Sequence, residues 1–413
     1  MIYKRAILPQ VIQSVNEYPI TLITGARQVG KTTLVSYFEE SCGYKYLTFD
    51  DSDLLKEALA SPKDFISKHG DHLILDEVQK AKELFPEIEF AVNEVRRKKG
   101  SQAANGMYIL TGSQKFDLMN RASESMSGRV GIIEMPPLSQ AEIRGWEEAP
   151  FSVENEKLFA LSNSRKLSLD ELYASIVRGF YPARWEIEGK PIKNYYANYV
   201  KTYIEKDVMR LINLSDKLKF ENFLKAIAGL TGEEFIADNV SKVVGIDNKT
   251  TAKWLSIVLS GDLISLLPPY SEASVNKRIV KRSKLYFCDT GLACYLLGID
   301  TPLTLAMSPF KGRIVETYIH NEIRKSYLNE NKDWGGAFFR DNNRNEIDLI
   351  LLQDGKLHFI ECKAGKNFGT NAIKGFSQLS KTSYDIKGEC IVCTSDDPYK
   401  ISPNVYAFPI RCI

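Results

Sequence analysis

GARQVGKTTLV, residues 25–35, decides how this chain is read. It carries the full GxxxxGK[ST] spacing, with Gly25, Gly30, Lys31 and Thr32 at the defining positions. The apolar run ITLITG (20–25) precedes it, and KTTLVSYFEE follows with helical spacing. Strand, glycine-bounded loop and helix form the context in which this spacing cradles phosphates. The two glycines let backbone amides turn toward the anion, and the helix N-terminus adds partial positive charge. Lys31 can reach the β- and γ-phosphates, and Thr32 offers a hydroxyl to Mg²⁺. Thr33, next in the run, joins the nucleotide-contacting set. The expected ligand is ATP with Mg²⁺.

A phosphate loop needs an acid to hold the metal. HLILDE (72–77) reads as a buried strand ending in Asp76 and Glu77. A continuous apolar run of this kind suits a parallel strand whose end opens on the ligand crevice. Asp76 is expected to hold Mg²⁺ through its water shell, and Glu77 to polarise the attacking water. YILTGS (108–113) is a further strand, and its end brings Thr111 and Ser113 toward the γ-phosphate. SGRVGIIEMPPLSQAEI (127–143) gives Arg129 before a fifth strand. Arg129, and with less support Arg121, is a candidate charge stabiliser acting in cis or across a subunit boundary.

The order ITGARQVGKTTL, LILDEVQ, ILTGS, SGRVGIIEMPPLS resembles AAA-type P-loop ATPases of a prokaryotic family. In that family the ATPase core precedes a C-terminal region catalogued as a domain of unknown function. RGFYP (178–182), YVKTYIEKDV (199–208), LYFCDTGLACYLLG (285–298) and GRIVETYIHNEI (312–323) continue the match, so it spans nearly the whole chain. The resemblance implies an ATPase, a helical linker with a winged helix, and a restriction-endonuclease-like C-terminal fold.

From about 151 to 230 the pattern is helical. Val200, Ile204, Val208, Leu211 and Ile212 recur at three- and four-residue steps, as on an amphipathic helix. Tyr195, Tyr199 and Tyr203 form an aromatic stripe of the kind that usually packs. Within 231–270 the reading is a short helix capped near Asn239 or Ser241, a turn at Gly245, a helix from about Asn248 to Leu259, and an apolar strand. That order resembles a winged helix. Lys249, Thr250, Thr251 and Lys253 begin its second helix. The basic run NKRIVKRSK (276–284) supplies Lys277, Arg278, Lys281, Arg282 and Lys284 where a wing strand belongs. Together these make a local basic patch that is a candidate DNA contact.

FFRDNNRNEIDLILLQDGKLHFIECKAGKN (338–367) holds a second constellation. EIDLILL and LHFIECKA read as two strands joined at Asp354-Gly355, a hairpin signal. Asp348 lies on the first strand; Glu361 and Lys363, two apart, share a face of the second. A carboxylate facing Glu-x-Lys is the core of the PD-(D/E)xK nuclease pattern. Asp348 and Glu361 supply hard oxygen ligands for Mg²⁺, and Lys363 can orient water or stabilise charge on the scissile phosphate. Glu316 resembles the upstream acid of such sites and joins the metal set, with Gln378 a weaker candidate.

The 413 residues are more than one core needs, and net charge +2 leaves any basic surface local. Seven scattered cysteines suit a reducing compartment. The single CxxC at Cys390 and Cys393 reads as two small apolar residues in a strand rather than a zinc site. With no leader pattern or membrane-length apolar run, the expected location is the cytoplasm, without a membrane partner.

The expectation is therefore an α/β chain with an AAA-type P-loop core on a parallel sheet (1–150). A helical region follows (151–300, winged helix at about 231–290), and then an α/β restriction-endonuclease-like domain (301–413). The expected activity is Mg²⁺-dependent ATP hydrolysis coupled to a nuclease-like, DNA-related module, with a homo-oligomer as a further expected partner. The alternatives are a nucleotide-dependent protein-interaction switch with an inactive nuclease-like domain, or a DNA-binding regulator.

Overall fold

A computed structural model describes residues 3–114, 118, 128–186, 192–208, 216–270, 282–379 and 384–413. Two compact units emerge: Met1–Leu138 with Val258–Leu263 and Leu328–Asn331, and a second made of Ser139–Ile257, Ile264–Tyr327 and Lys332–Ile413.

In the first unit, β1 (Ile20–Thr24), β2 (Lys45–Thr48), β3 (Leu73–Asp76), β4 (Tyr108–Gly112) and β5 (Val130–Glu134) form one sheet in the order β2-β3-β4-β1-β5. Every pairing is parallel. Every residue of β1, β3 and β4 is buried. That explains their unbroken apolar sequences: helices cover both faces of a parallel sheet. Leu22, Leu75 and Leu110 pack with Phe65, Phe85 and Ile88 from helices Pro62–His69 and Leu84–Lys99. The expected α/β parallel core is present, and the phosphate loop leaves the C-terminal end of β1, which lies between β4 and β5.

In the second unit, β6 (Glu233–Glu234), β7 (Ile264–Leu267) and β8 (Lys284–Phe287) make a small sheet in the order β6-β8-β7, all antiparallel. Two helices lie between β6 and β7 in sequence, Ala237–Val244 and Asn248–Ser260, joined through the left-handed Gly245. The first begins earlier than the sequence suggests: Asn239 and Ser241 fall inside it, and no side chain caps it. Ile236 supplies extended backbone there instead.

The larger sheet holds β9 (Gly336–Arg340), β10 (Glu346–Gln353), β11 (Lys356–Lys363), β12 (Asp385–Cys393), β13 (Tyr399–Lys400) and β14 (Tyr406–Pro409), ordered β13-β14-β12-β11-β10-β9. β9, β10 and β11 run antiparallel, while β12 is parallel to β11 and β14 to β12. The hairpin expected at Asp354-Gly355 is present: both residues have positive φ (49° and 71°), and Gln353 pairs with Lys356. Two left-handed residues in a two-residue loop match the right-handed twist of the flanking strands. Pro268–Tyr270 joins the edge of β9, with Tyr270 N–H donating to Phe338 O at 2.6 Å and Phe338 N–H to Pro268 O at 3.0 Å. The small sheet is thereby stitched to the large one.

A buried polar hub explains two of the quoted motifs. Asp289 caps helix Thr290–Leu296 through Leu292 N–H (2.7 Å) and also accepts from Phe180 N–H (2.6 Å) and Tyr196 O–H (2.7 Å). A Cβ at Gly179, in RGFYP, would collide with Tyr196 and Asp289. The tyrosine stripe packs as expected, with Tyr199 stacked on Tyr181 at 4.9 Å between ring centroids. Leu211 and Ile212 lie outside the described residues. Cys390 and Cys393 are buried on β12 with free thiols.

Candidate functional site

The phosphate loop is shaped by its glycines. Gly25 has φ +151°, and a Cβ there would meet the carbonyl oxygen of Met135. Gly30 caps helix Lys31–Cys42 in the left-handed conformation. Buried Arg5, which the sequence reading passed over, donates to Val29 O and Pro136 O at 2.7 Å each and ties the loop to the end of β5. The Lys31 ammonium donates to Gly25 O (2.7 Å) and Ala26 O (2.9 Å). Burial lowers its pKa to about 8, against the opposing pull of Glu77, Asp262 and Asp76.

Thr32 Oγ1 donates to Asp76 Oδ2 at 3.2 Å, so loop hydroxyl and strand acid stand side by side. Tyr46 O–H donates to the same Asp76 oxygen at 2.6 Å, and Thr111 O–H to the other. These hard oxygens suit a Mg²⁺ ion. Thr33 is exposed on the first turn of the helix. Glu77 adopts a left-handed backbone (φ 57°), which throws its side chain off the line of β3. There the Gln79 amide donates to Glu77 Oε2, and also to Ser113 Oγ at 3.3 Å. Gln79 and Tyr46 were missed from sequence. Gln79 follows the acid pair in DEVQ, but nothing local marks Tyr46.

Arg129 requires a correction. Its carbonyl accepts from Ile20 N–H at 3.2 Å, which puts it at the N-terminal end of β1, whereas the loop leaves the C-terminal end. The strand between spans about 13 Å at ~3.3 Å per residue. The guanidinium is held on helix Leu84–Lys99, 2.8 Å from Asn93 Oδ1 and 3.4 Å from Glu89 Oε1. Arg129 therefore does not reach a nucleotide held by its own loop, which speaks against a role in cis. Arg121 lies outside the described residues.

The second constellation is assembled as the sequence suggests, but around an unexpected centre. Glu316 comes from helix Lys311–Leu328, Asp348 from β10, and Glu361 and Lys363 from β11. Asp348 Oδ2 accepts from Cys362 N–H at 2.9 Å, which locks the two strands across the site. Lys363 bonds Glu361 and lies 3.7 Å from Asp348 Oδ2. Glu361 Oε2 is buried without a hydrogen-bond partner among the described residues.

Between these acids sits Lys284, from β8. Its Nζ lies 2.7 Å from Glu346 Oε1, 3.0 Å from Glu316 Oε1 and 3.4 Å from Asp348 Oδ1, with the side chain 2% exposed. Burial opposes its charge, but Glu316, Tyr286, Asp348 and Glu346 hold its pKa well above the ordinary lysine value. Tyr286 O–H donates to Glu316 Oε1 at 2.7 Å. Burial pushes the Glu316 carboxyl up, with Lys284 opposing and Asp348 reinforcing. Asp348 stays below its usual range because Lys284 and Lys363 outweigh its burial.

Among the described residues, no group of three or more His, Cys, Asp or Glu side chains is arranged to hold a metal ion. With an ammonium already among them, Glu316, Asp348 and Glu361 do not fit a divalent cation as they stand. Gln378 is exposed on a short 3-10 turn.

The expected basic patch also changes. Lys284 is buried rather than displayed, Arg282 is exposed, and Lys277, Arg278 and Lys281 lie outside the described residues. Thr251 is fully buried and bonds Asp247 O, while Thr250 is taken up by Asp247 through both its N–H and its hydroxyl. Lys249 and Lys253 remain exposed.

Residues 17–144 match the family model described as an AAA domain. Residues 169–303 and 311–413 match two models described as domains of unknown function, DUF8612 and DUF4143. Uncharacterized proteins of Mycobacterium bovis and Mycobacterium tuberculosis are each 23% identical over 411 residues, 99% of this chain and 84% of theirs. Among solved structures, a Walker-type ATPase of Pyrococcus abyssi is similar at 16% identity and TM-score 0.45, covering 71% of this chain and 96% of its own. AMPPCP-bound DnaA of Aquifex aeolicus is similar at 12% identity and TM-score 0.26, covering 61% and 85%. The family match and the loop geometry together make the N-terminal segment an AAA-type P-loop domain. No helix among the described residues is long and apolar enough to cross a membrane.

Proposed function

We propose that the protein is an ATP-hydrolysing AAA-type switch whose nucleotide state is coupled to a C-terminal, nuclease-like, DNA-related module. The observation that carries the ATPase reading is the meeting of Lys31, Thr32, Asp76 and Glu77 at the C-terminal ends of parallel strands. Lys31 exchanges its two loop carbonyls for phosphate oxygens. Thr32 and Asp76 would hold Mg²⁺, which when bound would supply positive charge beside the phosphates. Glu77, aimed by Gln79, orients the attacking water, and Ser113 faces the same space. Arg129 acts in trans, from a neighbouring copy in a homo-oligomer. The test is phosphate release by wild type and Glu77→Gln at saturating ATP. Glu77→Gln should bind ATP with wild-type affinity yet turn over at least ~100-fold more slowly. Equal rates would remove Glu77 from this role.

The order of helix Lys217–Ala228, β6, helix, helix, β7, β8 supports the winged-helix reading, and exposed Lys249 and Lys253 support DNA contact. Helix Lys311–Leu328 followed by the antiparallel β9–β11 and the parallel β12 supports the restriction-endonuclease-like reading. One observation favours the alternative, a protein-interaction switch with an inactive nuclease-like domain: a lysine occupies the middle of the acidic site. Plasmid cleavage with and without ATP separates the two, since the alternative predicts none in any nucleotide state.

A further inference from the structure

Lys284 reaches the acidic site from outside the segment that supplies the acids. β8 pairs with β7 and β6 in the small sheet, yet its first side chain is buried against helix Lys311–Leu328 and β10. The stem is fully enclosed and the ammonium lies over the Phe338 ring, 5.6 Å from its centroid. The ammonium donates to Glu316 Oε1 at 3.0 Å and to Asp348 Oδ1 at 3.4 Å, and Glu346 Oε1 lies 2.7 Å away as an ion pair. Three carboxylates thus surround one buried ammonium, in contrast to a surface lysine that happens to find an acid.

A divalent ion bridging Glu316 and Asp348 needs the same oxygens in a compact shell, and it would sit against a positive charge. The two cations therefore exclude each other. Without either, the carboxylates of Glu316, Glu346, Asp348 and Glu361, the last two buried, are left with only partial compensation, which disfavours their charged forms. Some cation is needed, and in this structure the chain provides its own.

We propose that Lys284 is the resident cation of the acidic site, and that its ammonium excludes a divalent ion from it. This rests on the nuclease-like reading of the C-terminal module and specifies how its site is held shut. Lys363 holds Glu361 independently, because it enters from β11 itself.

The test uses the full-length, nucleotide-free protein with Mn²⁺ as the probe, free Mn²⁺ being followed by electron paramagnetic resonance. Wild type and Asp348→Asn should give the same weak binding curve. Lys284→Met should gain one site, at least tenfold tighter than any wild-type binding, and Lys284→Met combined with Asp348→Asn should lose it. Lys284→Gln, which keeps a donor but no charge, should gain the same site and serves where the methionine variant fails to fold. Lys284→Arg should remain closed. Two results would overturn the proposal: wild type binding Mn²⁺ in an Asp348-dependent way as tightly as Lys284→Met, or folded Lys284→Met and Lys284→Gln that gain nothing. The first needs only wild type and Asp348→Asn, so it stands whatever the lysine variants do. Plasmid cleavage is scored separately. Mn²⁺-loaded Lys284→Met that cuts no DNA counts against the nuclease reading and leaves the cation exclusion standing.

Discussion

The ammonium of Lys31 lies 2.7 Å from the carbonyl oxygen of Gly25, folded back on the loop that it serves. Burial brings its pKa from 10.5 to about 8. The unfolded chain keeps that proton up to the higher value, so this group's contribution to stability rises with pH across the window and is lost as pH falls through 8. Bound phosphates favour the charged form. ATP binding should therefore take up almost no proton at pH 7 and close to one at pH 9, with affinity falling by up to about tenfold per pH unit above 8. Calorimetric titration in two buffers of different ionisation enthalpy reads the proton directly. Lys31→Ala should abolish both the uptake and tight binding.

Gln79 holds the Glu77 carboxylate and Ser113 together. Removing the amide should leave ATP affinity intact and let Glu77 wander. Gln79→Ala is expected to lower kcat by about 10- to 100-fold with KM changed by less than about threefold. Steady-state phosphate release checks this. A rise in KM at unchanged kcat would mean that Gln79 serves binding instead.

Arg129 is too far from its own loop to touch bound nucleotide. Arg129→Ala should leave ATP affinity within about twofold of wild type while turnover falls by ~10³ or more, the scale of a lost arginine supplied in trans. Mixing Arg129→Ala with Lys31→Ala protein should restore part of the turnover, because each copy supplies what the other lacks. Full activity of Arg129→Ala alone would confine the residue to its contacts with Glu89 and Asn93.

Asp289 is the structural counterpart of these functional acids. Asp289→Ala would strand Phe180 N–H, Leu292 N–H and Tyr196 O–H in the interior. A loss of about 3–5 kcal/mol in urea unfolding is expected, typical of breaking a buried charged network. Asp289→Asn should cost less, since its carbonyl oxygen can still accept one or two of these bonds. An Asp289→Ala protein as stable as wild type would show that the hub is replaceable by water.

What the sequence revealed divides along a physical line. The placement of Lys31, Thr32, Asp76 and Glu77 was legible because it depends on local geometry, a strand running into a loop. The Asp348, Glu361 and Lys363 set was legible for the same reason, through a hairpin announced by Asp354-Gly355. The distance of Arg129 from its own loop was not legible, because it depends on which end of a parallel strand the residue occupies, a property of the sheet that no neighbouring residue encodes. Lys284 was read as a displayed charge because its partners stand 32 and 64 residues away. A basic run carries no mark of which member turns inward. Thr251 failed similarly: a hydroxyl on a helix start points to DNA or to Asp247 depending on rotation about the helix axis.

The origin of Lys284 bears on how such chains are inherited. The matched regions end at 303 and begin again at 311, so the seam between the two runs between Lys284 and every acid it neutralises. A recombination event, or a truncation, that respected that seam would transplant Glu316, Glu346 and Asp348 without their ammonium. The piece that can move between proteins with its charges in order begins before β8, and the lysine and the three acids are expected to change together across descendants.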